Sequence, residues 1–269
     1  MRRRSFMALS GASLVCGCSG AVHRMPAISQ GNLVLAQSEV RSAGGAPQRR
    51  SASDEEVVAI LQAASRRIVS PALQTCHEMG VGVCDWKFRI SPSRALDAGA
   101  YPAGFIVVNR GVVEYAANEE EVCLVIAHEI GHQAANHVVA GMRNQMIGAM
   151  IGATLLGVAA AAAMGGRYGS TATTRQAIQT GAQLGGQVGH LSFSKEQERE
   201  ADYLAALILY RSGVDLDKAR GMLVTLARFS GQQETGLLDT HPAGPERVAG
   251  WDRAVAEIRA SDGGLPKRT

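Results

Sequence analysis

The sequence predicts an α+β fold, mostly helical, with one small antiparallel sheet. Three observations predict it. Helix-opening signatures recur, with Ser53 ahead of Glu56, Asn118 ahead of Glu121 and Ser194 ahead of Gln197, each followed by apolar residues at helical spacing. Only two runs read as strands, Trp86 to Ile90 and Phe105 to Asn109. The composition, 46% hydrophobic and 19% charged over 269 residues with a mean hydropathy of +0.01, is that of a globular body. It excludes a disordered chain, a collagen-like fibre and a disulfide-dense miniprotein.

The chain opens on Arg2-Arg3-Arg4 and the apolar run Phe6 to Val15, the charged and hydrophobic regions of a secretory signal too short to span a bilayer as a mature helix. Val15-Cys16-Gly17-Cys18 resembles a bacterial lipobox, which makes residues 1–17 a signal peptide and Cys18 the lipidated first residue of an envelope protein on the periplasmic side, with the outer membrane as the expected site. The paired arginines before Ser5-Phe6 also fit twin-arginine export. The formal charge is +3, and setting aside Arg2, Arg3 and Arg4 leaves 24 basic against 24 acidic residues. A neutral chain without a basic stripe excludes nucleic acid as a partner, because phosphate neutralisation supplies most of that affinity.

Residues 18–52 are rich in Ser, Gly, Ala, Gln and Arg and hold too few large apolar groups to offset ordering entropy, so they read as a disordered tether. The folded domain is then 53–260, with 261–269 as a disordered tail. Cys76 and Cys84 are close enough to pair in an oxidising compartment, leaving Cys123 as a buried thiol; three unpaired small hydrophobes is the alternative.

Within the domain, Ser53 caps a helix expected to reach about Val69, stopped by Pro71. Trp86-Lys87-Phe88-Arg89-Ile90 alternates at period two, which predicts a strand with one buried face, and Phe105-Ile106-Val107-Val108-Asn109 a second. Asn118 caps a helix expected to run to about Val139, with Glu119 to Glu121 on its positive end. Met146 to Gly166 is uncharged and long enough to span a membrane, but Ala and Gly dominate it; it reads as a span or as a helical hairpin, buried or interfacial, near the site. The stretch Gly181 to Gly189 has no Gly-Lys-Ser/Thr and cannot be a P-loop. Ser194 opens a helix to about Arg211 that Gly213 closes, Asp217 begins another to about Phe229, and Pro245 the last, to Ile258.

The chemistry sits in His128-Glu129-Ile130-Gly131-His132. Residues four apart share one helix face, so His128 and His132 can direct two imidazoles at one metal while Glu129 stands beside the open position. A catalytic zinc needs a third protein ligand, and Glu198-Arg199-Glu200-Ala201-Asp202 supplies it. Glu198 and Asp202 are four apart, so one carboxylate can bind metal while the other accepts a hydrogen bond from a ligand imidazole; Asp202, Ala205 and Leu209 continue one inward stripe from Glu198. Glu196 and Glu200 are expected to face water.

With these residues in place, the chain resembles the zinc endopeptidases of the CAAX prenyl protease and HtpX type, and within them the periplasmic lipoprotein, LoiP-like branch. The resemblance covers roughly Asp54 to Ile258 and rests on three features: His128-Glu129-x-x-His132, Glu198-x-x-x-Asp202 preceded by Ser192-Phe193-Ser194, and Thr240-His241-Pro242 followed by Arg247. It implies a zincin-type fold, one Zn²⁺ per chain on His128, His132 and Glu198, and Glu129 as general base. It also implies unfolded, misfolded or membrane-associated proteins as substrates. His137 recurs in the family, where a supporting or packing role is expected. Ala103-Gly104 stands where members often carry Gly-Gly, and Lys195 where Arg is commoner.

Three further expectations follow. Phe105 to Asn109 is an edge strand able to pair with extended substrate backbone. His241, on a loop stiffened by Pro242, either donates a hydrogen bond to the oxyanion or occupies the open metal position as a latch, with Arg247 a second candidate for the donor role or a tie between the loop and a carboxylate. A holdase-like chaperone for unfolded envelope proteins is the alternative function; it would keep the groove without needing the metal. Nothing in the sequence sets the oligomeric state or gives His190 a partner.

Overall fold

The computed structural model describes residues 21–45, 47–163, 175–176, 178–180, 193–230, 241 and 243–268. Cys18, His190, the Gly181 to Gly189 stretch and the end of the Met146 to Gly166 run lie outside the described residues.

Helix α1 (Gln30–Ser42) is opened by Ser29, whose hydroxyl accepts from Asn32 N–H. Helix α2 (Asp54–Met79) is opened by Ser53 and closed by Gly80 at φ 67°, a left-handed turn that suits glycine. It buries Val57, Leu61, Ala64, Ile68, Ala72, Cys76 and Met79, a stripe at three- and four-residue spacing. Pro71, expected to end this helix, lies inside it. The apolar stripe continues past the proline, and burying Ala72, Cys76 and Met79 offsets the backbone hydrogen bond that proline cannot donate.

The sheet is the main departure. Strands β1 (Lys87–Ser91), β2 (Ala98–Tyr101) and β3 (Phe105–Asn109) lie in the order β1-β3-β2. β2 and β3 form an antiparallel hairpin over the turn Pro102–Gly104, but β1 runs parallel to β3, with Lys87 opposite Phe105 and Ser91 opposite Asn109. The sheet is therefore mixed, not antiparallel, and β3 is its central strand, not an edge. The missing piece was β2, whose Ala-Gly-Ala-Tyr has little strand propensity, so its pairing alone makes it a strand. β1 has no buried face: Phe88 and Ile90 are both exposed, whereas Ile106 and Val108 of β3 are buried.

Helix α3 (Arg110–Tyr115) leads to α4 (Glu119–Ala134), capped by Asn118 as expected. The expected run to Val139 breaks at Asn136, which sits at φ 61°, and α5 (His137–Ala163) departs in a new direction. Met146, Met150 and Leu155 of α5 are each more than 60% exposed. Where its side chains are described, between 146 and 156, the run is helical and not buried, the hairpin expectation falls partly outside the described residues, and no described helix is long and apolar enough to cross a membrane. Helix α6 (Lys195–Arg211) carries the expected Ser194/Gln197 capping box. The helix expected from Asp217 is two, α7 (Leu216–Ala219), capped by Asp215, and α8 (Gly221–Ser230); α9 (Pro245–Ala260) completes the chain's helices among the described residues.

The core lies between α2, α4, α6 and α9, with the sheet against α4. Two segments expected to be disordered are part of it. In the presumed tether, α1 packs on α9, and Arg220 grips Glu39 through both guanidinium nitrogens at 2.5 and 2.7 Å. In the presumed tail, Leu265 packs on the core and Gly263 O accepts from Arg211. The two segments also meet, with Arg24 N–H donating to Lys267 O at 2.7 Å. Local composition predicts disorder for both because their partners are remote in sequence. The domain thus extends on both sides of 53–260. Cys76 and Cys84 form a disulfide, and Cys123 is a buried free thiol whose pKa burial raises to about 12.

Candidate metal centre

Helices α4 and α6 cross at Gly131, where an added Cβ would stand 2.9 Å from the Ala201 carbonyl oxygen. This close approach carries the histidine face of α4 onto the carboxylate face of α6. His128 Nε2 and His132 Nε2 lie 3.1 Å apart, each 3.4 Å from an oxygen of Glu198. His241 reaches the same point from its loop, its Nδ1 3.0 Å from Glu198 Oε1 and 3.4 Å from His128 Nε2. Ligand atoms of His128, His132, Glu198 and His241 all fall within 4.8 Å of one another.

The donor set fits a divalent transition metal. His128 and His132 each have the far ring nitrogen engaged elsewhere, so their Nε2 lone pairs face each other at 3.1 Å, an arrangement that a cation between them relieves. Imidazole nitrogens with a carboxylate oxygen, all within 4.8 Å of one another, are the ligands such an ion takes. One oxygen of Glu198 and one of Glu129 are buried without a hydrogen-bond partner among the described residues.

Each supporting contact has a physical role. Asp202 Oδ1 accepts from His128 Nδ1–H at 2.9 Å and so fixes the tautomer that presents Nε2. Arg247, from the first turn of α9, holds Asp202 through two nitrogens at 2.7 and 2.8 Å and stands 3.1 Å from Glu198. His132 Nδ1 lies 3.1 Å from His137 Nδ1, and Phe193 stacks on the His132 ring at 3.8 Å.

Burial and charge divide the titrating groups. Burial raises the Glu129 carboxyl above the usual carboxylate range against the pull of His241 and His128, the direction that suits a general base. Burial opposes ionisation of Glu198 too, but His241, Arg247 and the two imidazoles outweigh it and hold its pKa well down. Burial keeps His132 neutral, as a ligand must be. Burial and Arg247 act against the charged form of His128, yet its bonds to Asp202 and Glu198 carry its pKa up to about 9.

The structure therefore brings together His128, Glu129, His132, Glu198, Asp202, His241 and Arg247, the residues singled out from the sequence around the metal. Glu200 reverses its expectation: it is fully buried, because α6 is covered on nearly all sides, and only Glu196 faces water. Three residues had no sequence signal. Asp97 lines the cleft beside Glu129 and has its pKa raised by burial, while His23 and Glu200 meet only through tertiary contact.

A family model described as peptidase family M48 matches residues 62–254, which include both ligand helices. The chain belongs to peptidase family M48. Among M48 relatives, it is 28% identical over 173 residues to the mitochondrial metalloendopeptidase OMA1 of Arabidopsis thaliana. It is 32% identical over 175 residues to the beta-barrel assembly-enhancing protease of Escherichia coli strain K12, and 31% over 161 residues to the metalloprotease LoiP of that strain. The matches cover 64%, 61% and 60% of this M48 chain, but 32%, 33% and 59% of those relatives.

Proposed function

We propose that this M48 chain is a zinc-dependent endopeptidase acting on misfolded or membrane-associated proteins of the bacterial cell envelope, tethered there by lipid on Cys18. The observation that carries the proposal is the convergence of two imidazoles and a carboxylate beside a buried, raised-pKa glutamate. The relatives named beta-barrel assembly-enhancing protease and metalloprotease LoiP support the reading as a protease.

His128, His132 and Glu198 would hold the metal, which supplies positive charge to acidify water and polarise the scissile carbonyl. Glu129 accepts the proton of the attacking water and returns it to the leaving amine. Asp202 and Arg247 keep His128 and Glu198 aimed. β2, not β3, is the free edge bordering the cleft, so extended substrate pairs there.

His241 acts as a latch in this conformation. It completes a four-donor set with His128, His132 and Glu198, taking the position that a water would need. Arg247 is committed to Asp202 and is not a free oxyanion donor.

The test is zinc stoichiometry alongside casein hydrolysis. Glu129→Gln should keep zinc and lose about 10²- to 10⁴-fold in rate, whereas Glu198→Ala should lose zinc. Hydrolysis by Glu129→Gln at the wild-type rate would overturn the mechanism, and protection of unfolded protein without cleavage by the wild type would favour the chaperone.

A further inference from the structure

The far side of His132 leads away from the metal centre along a buried chain of hydrogen bonds. For His132 to present its Nε2 lone pair, its Nδ1 must carry the proton, and the acceptor 3.1 Å away is His137 Nδ1. His137 must then carry its proton on Nε2, which donates to Glu200 Oε2 at 2.9 Å. Glu200 is held in turn by the segment preceding α1. Val22 N–H donates to Oε2 at 2.7 Å, while His23 N–H and Nδ1–H donate to Oε1 at 2.8 and 2.6 Å. The carboxylate thus accepts four N–H groups, and His23, His132, His137 and Glu200 are all 2% exposed or less.

That N-terminal strap is clamped from outside. His23 bridges Arg268 in antiparallel fashion, Arg24 N–H donates to Lys267 O, and Arg268 reaches the Met79 carbonyl at the end of α2. Arg199, the neighbour of Glu200, donates to Pro26 O and fixes the strap at a second point.

We propose that Glu200 and His23 are positioning residues for the metal centre: through His137 they fix the tautomer and ring angle of His132, so metal affinity depends on docking of the N-terminal strap. The inference rests on the reading of His132 as a metal ligand. Only a carboxylate at position 200 can accept from both sides. An amide there offers one oxygen to one side and turns an NH₂ toward N–H donors on the other, so His137 must rotate or leave the chain. The strap carries no metal ligand, yet its removal from Glu200 would loosen one of the two ligand imidazoles.

The experiment measures zinc affinity of the full chain by competition with a chromophoric chelator, and the visible spectrum of the cobalt-loaded protein, for wild type, Glu200→Gln, His23→Ala and His23→Asn. Loss of an outer hydrogen-bond partner of a ligand histidine typically weakens metal binding about 10- to 100-fold, the range expected for Glu200→Gln. His23→Ala should show a smaller loss with an altered cobalt spectrum. His23→Asn, whose amide N–H can replace the Nδ1 donor, should restore both. If Glu200→Gln fails to fold, the two His23 variants decide alone. Zinc affinity within twofold of wild type and an unchanged cobalt spectrum in the folded variants would overturn the inference while leaving the metal site intact. A wild type that binds no zinc would overturn the metal site itself.

Discussion

The two candidate ligand imidazoles of α4, His128 and His132, are supported by arms of different length. His128 leans directly on Asp202 of the neighbouring helix, and Arg247 grips that carboxylate with two nitrogens. His132 leans on another imidazole, then on Glu200, then on backbone and side chain of the strap around His23. The short arm is built from helices that also form the core, so it cannot loosen without cost to the fold. The long arm ends on a segment that contributes few core side chains and is held largely by hydrogen bonds. The same demand, a histidine held in one tautomer, is met once inside the fold and once by the strap around His23, itself clamped by the 267–268 segment.

The comparison is broken most directly at the short arm. Asp202→Ala leaves Arg247 buried with Glu198 as its remaining carboxylate partner, and removing one member of a buried pair costs about 3 to 5 kcal/mol. Thermal unfolding of the metal-free protein should show that loss for Asp202→Ala and much less for His23→Ala. Equal losses would mean that the two arms do not differ in their coupling to the core.

A smaller effect sharpens the long arm. The Cys76–Cys84 disulfide fastens the loop after α2, from which Val83 N–H donates to Gln133 O, next to His132. A bridge over so short a loop stabilises by about 2.5 kcal/mol through restriction of the unfolded chain. The double Cys→Ser variant should lose about that much in denaturant unfolding and keep its zinc affinity, since no member of the relay rests on the disulfide. A matching drop in zinc affinity would extend the arm to α2.

The smallest effect concerns His241, which touches Glu198 and His128 and meets the long arm at the His132 ring, 5.1 Å between centroids. His241→Ala should raise casein hydrolysis several-fold, on the order of 1 kcal/mol in barrier, by freeing the fourth metal position. A fall in rate would instead assign His241 to the oxyanion.

Much of the centre is legible in the sequence because its information is local. Helix spacing places His128 with His132 and Glu198 with Asp202, and the caps at Asn118 and Ser194 fix where those helices begin. Local information also misleads: β1 and β3 read as an antiparallel pair because β2, inserted between them in sequence, has no strand signature of its own. The crossing at Gly131, the burial of Glu200 and the packing of the segments around His23 and Leu265 have no counterpart in any short window.

By itself, then, the sequence determined which side chains could hold a metal and on which helices, since a 3.6-residue period and a capped start are set within a dozen residues. Only the tertiary structure decided that His241 stands within reach of the other ligands, that β2 rather than β3 borders the cleft, and that His23 closes on Glu200. Each of these joins groups far apart along the chain, and such contacts are selected by burial and hydrogen-bond satisfaction over the whole core rather than by any local preference.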